Sequence, residues 1–211
     1  MSLRAVFSTK SGMLQYFRMS RPIPVEVMPS HVHLSETHHR ILFGDGHMGT
    51  VRQSLSQTGQ FAYEETVDVV GKSGQRLTLR ILGPHRKATQ VELTPTEAVF
   101  LGIEAPQARS GDLSGAATCT LETEHGSISA PASVIVPAMH LHLSDSEADV
   151  LRLENGARVR VDLVGDAAKL IEDVVVRVHP TYRARLHIHA DDARDLWLQG
   201  GAHVRVRDIQ T

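Results

Sequence analysis

One short pattern, a strand followed by a capping residue and a helix of one or two turns, recurs four times along this chain and restricts its fold more than any other feature. The copies open at His31-Val-His-Leu-Ser-Glu, Val91-Glu-Leu-Thr-Pro-Thr-Glu, His140-Leu-His-Leu-Ser-Asp-Ser-Glu and His187-Ile-His-Ala-Asp-Asp. Ser35, Thr94, Ser144 and Asp191 stand where a helix N-cap is wanted, because a short side-chain oxygen can accept the free N–H groups of the first turn. Pro95 fits the first helical position, where its missing N–H costs nothing. Gly44, Gly102, Gly156 and Gly200 or Gly201 stand where each helix must stop.

Between these units run alternating segments: Glu65-Thr-Val-Asp-Val-Val, Arg76-Leu-Thr-Leu-Arg-Ile-Leu, Thr118-Cys-Thr-Leu-Glu-Thr, Arg158-Val-Arg-Val-Asp-Leu and Val174-Val-Val-Arg-Val. They read as strands, with Gly-containing turns at Lys72-Ser-Gly74 and Glu124-His-Gly126. Many short strands with a few very short helices predict a mainly β protein of small barrels with helical caps. His31 and His140 stand 109 residues apart in matching contexts, which predicts two related barrels with a shared site between equivalent edges.

The His-x-His pairs at 31/33, 140/142 and 187/189 carry the chemistry. Side chains two apart on a strand share a face, roughly 6.5–7 Å apart at Cα, while the intervening Val, Leu or Ile faces a core. For one isolated pair, hydrogen-bonded histidines at a strand end explain the pattern as well as a metal does. Two copies in matching contexts favour ligation. Glu92 takes the corresponding strand end in the copy without histidine, so His31, His33, Glu92, His140, His142 and His187 suit two metals, with zinc the best match to a His/Glu donor set. His189 shares a face with His187 but has no counterpart, and it reads as an extra ligand, an orienter or a merely polar residue. The other histidines, His38, His39, His47, His85, His125, His179 and His203, lack matched spacing and are expected at the surface.

Composition narrows the remaining classes. A net charge of −2 with scattered Lys and Arg gives no footprint for nucleic acid. The single cysteine, Cys119, excludes an internal disulfide, fits a reducing compartment and leaves nitrogen and oxygen as metal donors. No transmembrane span is expected. Residues 1–19 are basic and mildly amphipathic, without a signal-peptide core, and are expected as a docking or frayed helix rather than a targeting peptide. Arg86 and Lys87 sit in the Gly83-Pro-His-Arg-Lys turn shortly before Glu92. A guanidinium there can clamp phosphate bidentately, and a solvated basic turn is the plain alternative.

Pro24-Val-Glu-Val, Ser30-His-Val-His-Leu-Ser, Leu55-Ser-Gln-Thr-Gly-Gln-Phe-Ala-Tyr-Glu-Glu-Thr-Val, Ile81-Leu-Gly-Pro-His-Arg-Lys-Ala-Thr-Gln-Val-Glu, Ser110-Gly-Asp-Leu and Val176-Arg-Val together resemble the PduL family of phosphate propanoyltransferases over about residues 22–195. The resemblance implies two β-barrel domains, one of residues 30–137 inserted into another of residues 20–29 plus 138–207, bridged by a dinuclear zinc site. It implies acyl transfer between coenzyme A and inorganic phosphate, with one zinc on His31, His33 and Glu92 and a second on His140, His142, His187 and waters. Arg86 would bind phosphate. It further implies acyl-CoA, CoA and phosphate as partners, a homodimer, no membrane or nucleic acid, and a cytoplasmic or microcompartment location. Ser30 and Met139 depart from the family, where Arg commonly precedes each pair, and His189 stands where Asp is usual. A metallohydrolase such as a thioesterase, and a silent acyl-CoA or metal-binding homologue, are the competing readings.

Overall fold

The computed structural model of the chain describes residues 21–198 and 200–210; the expected amino-terminal helix lies outside them. Fourteen strands and four short helices are described. In order these are β1 (Ile23–Met28), β2 (His31–His33), α1 (Glu36–Phe43), β3 (Val51–Ser54), β4 (Phe61–Val70), β5 (Arg76–Gly83), β6 (Gln90–Glu92), α2 (Pro95–Phe100), β7 (Gln107–Ala108) and β8 (Ala117–Glu122). Then follow β9 (Ser127–Pro137), β10 (His140–Leu143), α3 (Asp145–Leu151), β11 (Arg158–Leu163), β12 (Asp166–Val178), β13 (Arg185–His189), α4 (Ala190–Asp195) and β14 (His203–Ile209).

Three of the four expected N-caps form. Ser35 Oγ accepts the His38 N–H at 3.2 Å, and Thr94 and Ser144 each complete a capping box with the Glu three residues on. The fourth does not: β13 runs straight into α4, so Asp191 lies inside the first turn. Its carboxylate instead accepts the Thr96 N–H of α2 at 2.9 Å. Gly44 ends α1, and Gly102, at φ 65°, follows the C-cap of α2. The other two glycines do not stop their helices. Arg152 takes the left-handed position after α3, and Trp197, at φ 52°, does so after α4, before the chain reaches Gly156 or Gly200.

Both β-rings are built on one plan. β2 lies between β5, parallel, and β6, antiparallel; β10 lies between β12, parallel, and β13, antiparallel. From β5 the first ring passes through β4, β8 and β9 in antiparallel steps and closes by the parallel β9–β6 pair. From β12 the second passes through β11, β14 and β1 and closes onto β13. Each is a closed barrel of six strands, with β3 and β7 attached to the first. Closure removes the free edges that short strands would otherwise expose. The closing strands are exchanged: β9 closes the first barrel but leads directly into β10, whereas β1 closes the second and leads directly into β2.

The two compact units follow these rings. One takes the chain up to Val27, Met139–Ile188 and the chain from Asp192 on; the other takes Met28–Ala138 with His189–Asp191. Val32, Val67, Ile81, Val91, Leu121 and Val134 fill one core, and Leu141, Val159, Val174, Leu186 and Val204 the other. Val32, Leu141 and Ile188, the central residues of the three histidine pairs, are all buried, each contributing on the order of 1.5–3 kcal/mol. No helix among the described residues is long and apolar enough to cross a membrane.

Candidate metal centres and anion site

Strand register decides which side chains converge. His31 pairs with Glu92 across β2 and β6, and His140 pairs with His187 across β10 and β13. The two histidines of each pair share a face, as period two requires, with ring centroids 4.9 Å apart for His31/His33 and 4.7 Å for His140/His142. Two groups of three buried donors result, His31–His33–Glu92 and His140–His142–His187, each with donor atoms within 4.8 Å of one another.

In the first group the hydrogen bonds fix the tautomers. Nδ1–H of His31 donates to the Pro29 carbonyl at 2.9 Å, and Nδ1–H of His33 donates to that of Leu82 at 3.2 Å. Each Nε2 is thereby turned away from the backbone, and that of His31 faces a Glu92 carboxylate oxygen at 3.6 Å. Burial, together with His31 and Arg86, holds His33 well below the usual imidazole range, so it is neutral. Two imidazole nitrogens and a carboxylate oxygen gathered out of water are a donor set that suits a cation.

The second group is starker. Both ring nitrogens of His142 and Nε2 of His187 are buried without a hydrogen bond. Each such orphan costs about 1–3 kcal/mol. Burial, then His140, His187 and Arg177, drives the His142 pKa far down, leaving a neutral ring. Tyr182 stacks on it with centroids 3.9 Å apart and planes 18° from parallel. Buried imidazole nitrogens without hydrogen bonds are a donor set that fits a divalent metal.

Arg86 is mounted beside the first group. Its N–H donates to Leu34 O at 2.9 Å, pinning the turn against the end of β2. Its guanidinium donates to Ser110 Oγ at 3.4 Å, and Ser110 Oγ donates to Glu92 Oε1 at 2.6 Å. Gln90 Nε2 donates to the same Glu92 oxygen at 2.5 Å and to Ser110 at 3.1 Å. Ser110 and Gln90 are site residues to which the sequence assigned no role, although Gln90 lies two positions before Glu92 and so shares its face. Ser30, just before the first histidine pair, has its own bonds: its hydroxyl donates to Glu97 and accepts the Thr94 N–H, bracing α2.

Two further placements matter. His39 is buried, contrary to the expected surface position, because α1 turns it inward to link His85 and His47. His189 is buried at the end of β13 and belongs to neither donor group. Burial pushes the Cys119 thiol up to about 11, which removes it as a nucleophile at neutral pH.

The sequence model of the phosphate propanoyltransferases matches residues 24–199. The chain belongs to the phosphate propanoyltransferase family. The phosphate propanoyltransferase of Shewanella putrefaciens is 40% identical over 185 residues, 87% of each chain. That of Salmonella typhimurium is 41% identical over 174 residues, 82% of each chain. That of Alkaliphilus metalliredigens is 36% identical over 179 residues, 85% of this chain and 84% of the relative. Phosphate propanoyltransferases are phosphotransacylases, so this chain is an enzyme of that class.

Proposed function

We propose that this enzyme transfers a short acyl group, propanoyl or one close to it in length, between coenzyme A and inorganic phosphate, with two zinc ions per chain. His31, His33 and Glu92 would hold one ion, and His140, His142 and His187 the other. The observation that carries this reading is the pair of buried donor groups, one with an imidazole nitrogen facing a carboxylate and one with orphaned imidazole nitrogens. When bound, zinc supplies Lewis acidity, stabilising oxyanion charge on the carbonyl and favouring the thiolate of coenzyme A.

The protein's own residues do the rest. Arg86 presents a planar fork to phosphate oxygens, and Ser110 holds that fork beside Glu92. A phosphate oxygen forms a bond to the acyl carbon, and the carbon–sulfur bond breaks. The proton lost by hydrogen phosphate is taken up by the departing sulfur. The positive charge of Arg86 offsets charge that accumulates as the two anions meet.

The test is release of free coenzyme A from acetyl-, propanoyl- and butanoyl-CoA, with and without phosphate, and metal content measured on the same sample. Phosphate-dependent release, two zinc equivalents and a loss of at least ~100-fold in kcat/KM for Arg86→Ala are expected. Release that proceeds equally without phosphate would make the enzyme a hydrolase and overturn the reading.

A further inference from the structure

The closing strands of the two barrels can be compared residue by residue. Val25-Glu26-Val27 stands five positions before the His31 pair as Val134-Ile135-Val136 stands before the His140 pair. Ile135 lies beside Glu92 in parallel register and is fully buried. The corresponding residue of the other barrel is Glu26. It lies beside His187, the register counterpart of Glu92.

Glu26 Oε2 is 3.4 Å from Nε2 of His187. That nitrogen is buried and makes no hydrogen bond. The same kind of approach, 3.6 Å between His31 Nε2 and Glu92 Oε2, occurs in the first group. Two donors bound to one tetrahedral zinc at about 2.0–2.2 Å stand roughly 3.3 Å apart. Arg185 Nε stands 3.9 Å from the same Glu26 oxygen. The side chain is 28% exposed, which leaves it room to turn toward the three histidines.

We propose that Glu26 is the carboxylate ligand of the second metal centre, a fourth protein donor beside His140, His142 and His187. The proposal rests on the two-metal reading above. It gives each centre two histidines from a His-x-His strand and one carboxylate, supplied by the antiparallel neighbour in the first barrel and by the closing strand in the second. Three neutral imidazoles would leave a divalent ion's charge uncompensated, and Glu26 halves it.

Glu26→Gln and Glu26→Ile in the full chain provide the test. Gln keeps the shape, and Ile is the residue the other barrel carries at this place, so both suit the strand; circular dichroism checks their folding. Zinc affinity is read by competition with a chromophoric chelator, and coordination by the visible absorption of the Co2+-substituted protein. The expected result is one metal bound as in wild type and one weakened by at least roughly 10-fold, with the Co2+ bands of that centre shifted and reduced. Weakened binding with unchanged Co2+ bands would make Glu26 an orienter of His187 and overturn the proposal. Two metals held as tightly as in wild type would overturn it too, leaving the two-metal reading standing. A wild-type chain that holds no metal would instead sink the reading on which the proposal rests.

Discussion

Ser110 joins two groups with different duties, the Arg86 guanidinium and the Glu92 carboxylate, through one hydroxyl. Hydrogen bonds to charged partners are worth about 1.5–3 kcal/mol, enough for roughly a tenfold effect. Ser110→Ala is therefore expected to raise KM for phosphate about tenfold while KM for acyl-CoA stays near wild type. If both constants rise together, Ser110 acts by shaping the Glu92 group rather than by holding Arg86. The six candidate ligands are legible in the sequence because strand periodicity alone brings residues i and i+2 to one face, and because Glu92 matches His187 in the repeat. Gln90 could have been found from its place two residues before Glu92 on the same strand, whereas Ser110 and Glu26 are not legible. Their places depend on which strands and loops become neighbours, and nothing local to Ser110 or Glu26 encodes that.

At the scale of elements, α1, the turn at Gly83–Arg86 and the loop after α1 are tied by a chain of imidazoles. His85 meets His39 at 3.0 Å, His39 meets His47 at 3.1 Å, and His47 lies 3.5 Å from Glu65, which accepts the Thr50 N–H. Burial, with His85 and His47 beside it, lowers the His39 pKa from its ordinary value of 6.5, and Glu65 opposes this only in part. A histidine whose folded pKa is depressed binds fewer protons folded than unfolded. Its contribution to stability is therefore complete above pH 6.5 and is lost as pH falls below that value toward the folded pKa. Between pH 7 and pH 5 the wild-type Tm should fall more steeply than that of His39→Gln, which lacks the titrating group. Parallel Tm curves would show that the imidazole chain does not couple protonation to folding. Sequence spacing places these three histidines in a helix and two loops, and only the packing of α1 reveals that they meet.

For the whole molecule, the exchange of closing strands makes the two units unequal as independent folding units. Met28–Ala138 contains every strand of its own ring, including β9, and lacks the short segment His189–Asp191, whose Asp191 cap on α2 is worth about 1 kcal/mol. A chain beginning at Met139 lacks β1, so β13 and β14 would be left as open edges and the buried Ile23 would be missing from its core. The repeat and the two-barrel class are legible because cap, helix and strand recur at fixed offsets. The exchange is implied by the family resemblance, which assigns residues 20–29 to the second barrel, but not by the local pattern, because an alternating strand reads the same whichever ring it closes. A fragment of residues 28–138 is accordingly expected to melt cooperatively and to bind one zinc, whereas residues 139–211 alone should show no cooperative transition. Adding a peptide of residues 21–28 in excess to the second fragment should restore one, since β1 is the strand that its ring lacks. A cooperative melt of residues 139–211 without the peptide would show that β1 is dispensable and that ring closure does not govern the stability of that unit.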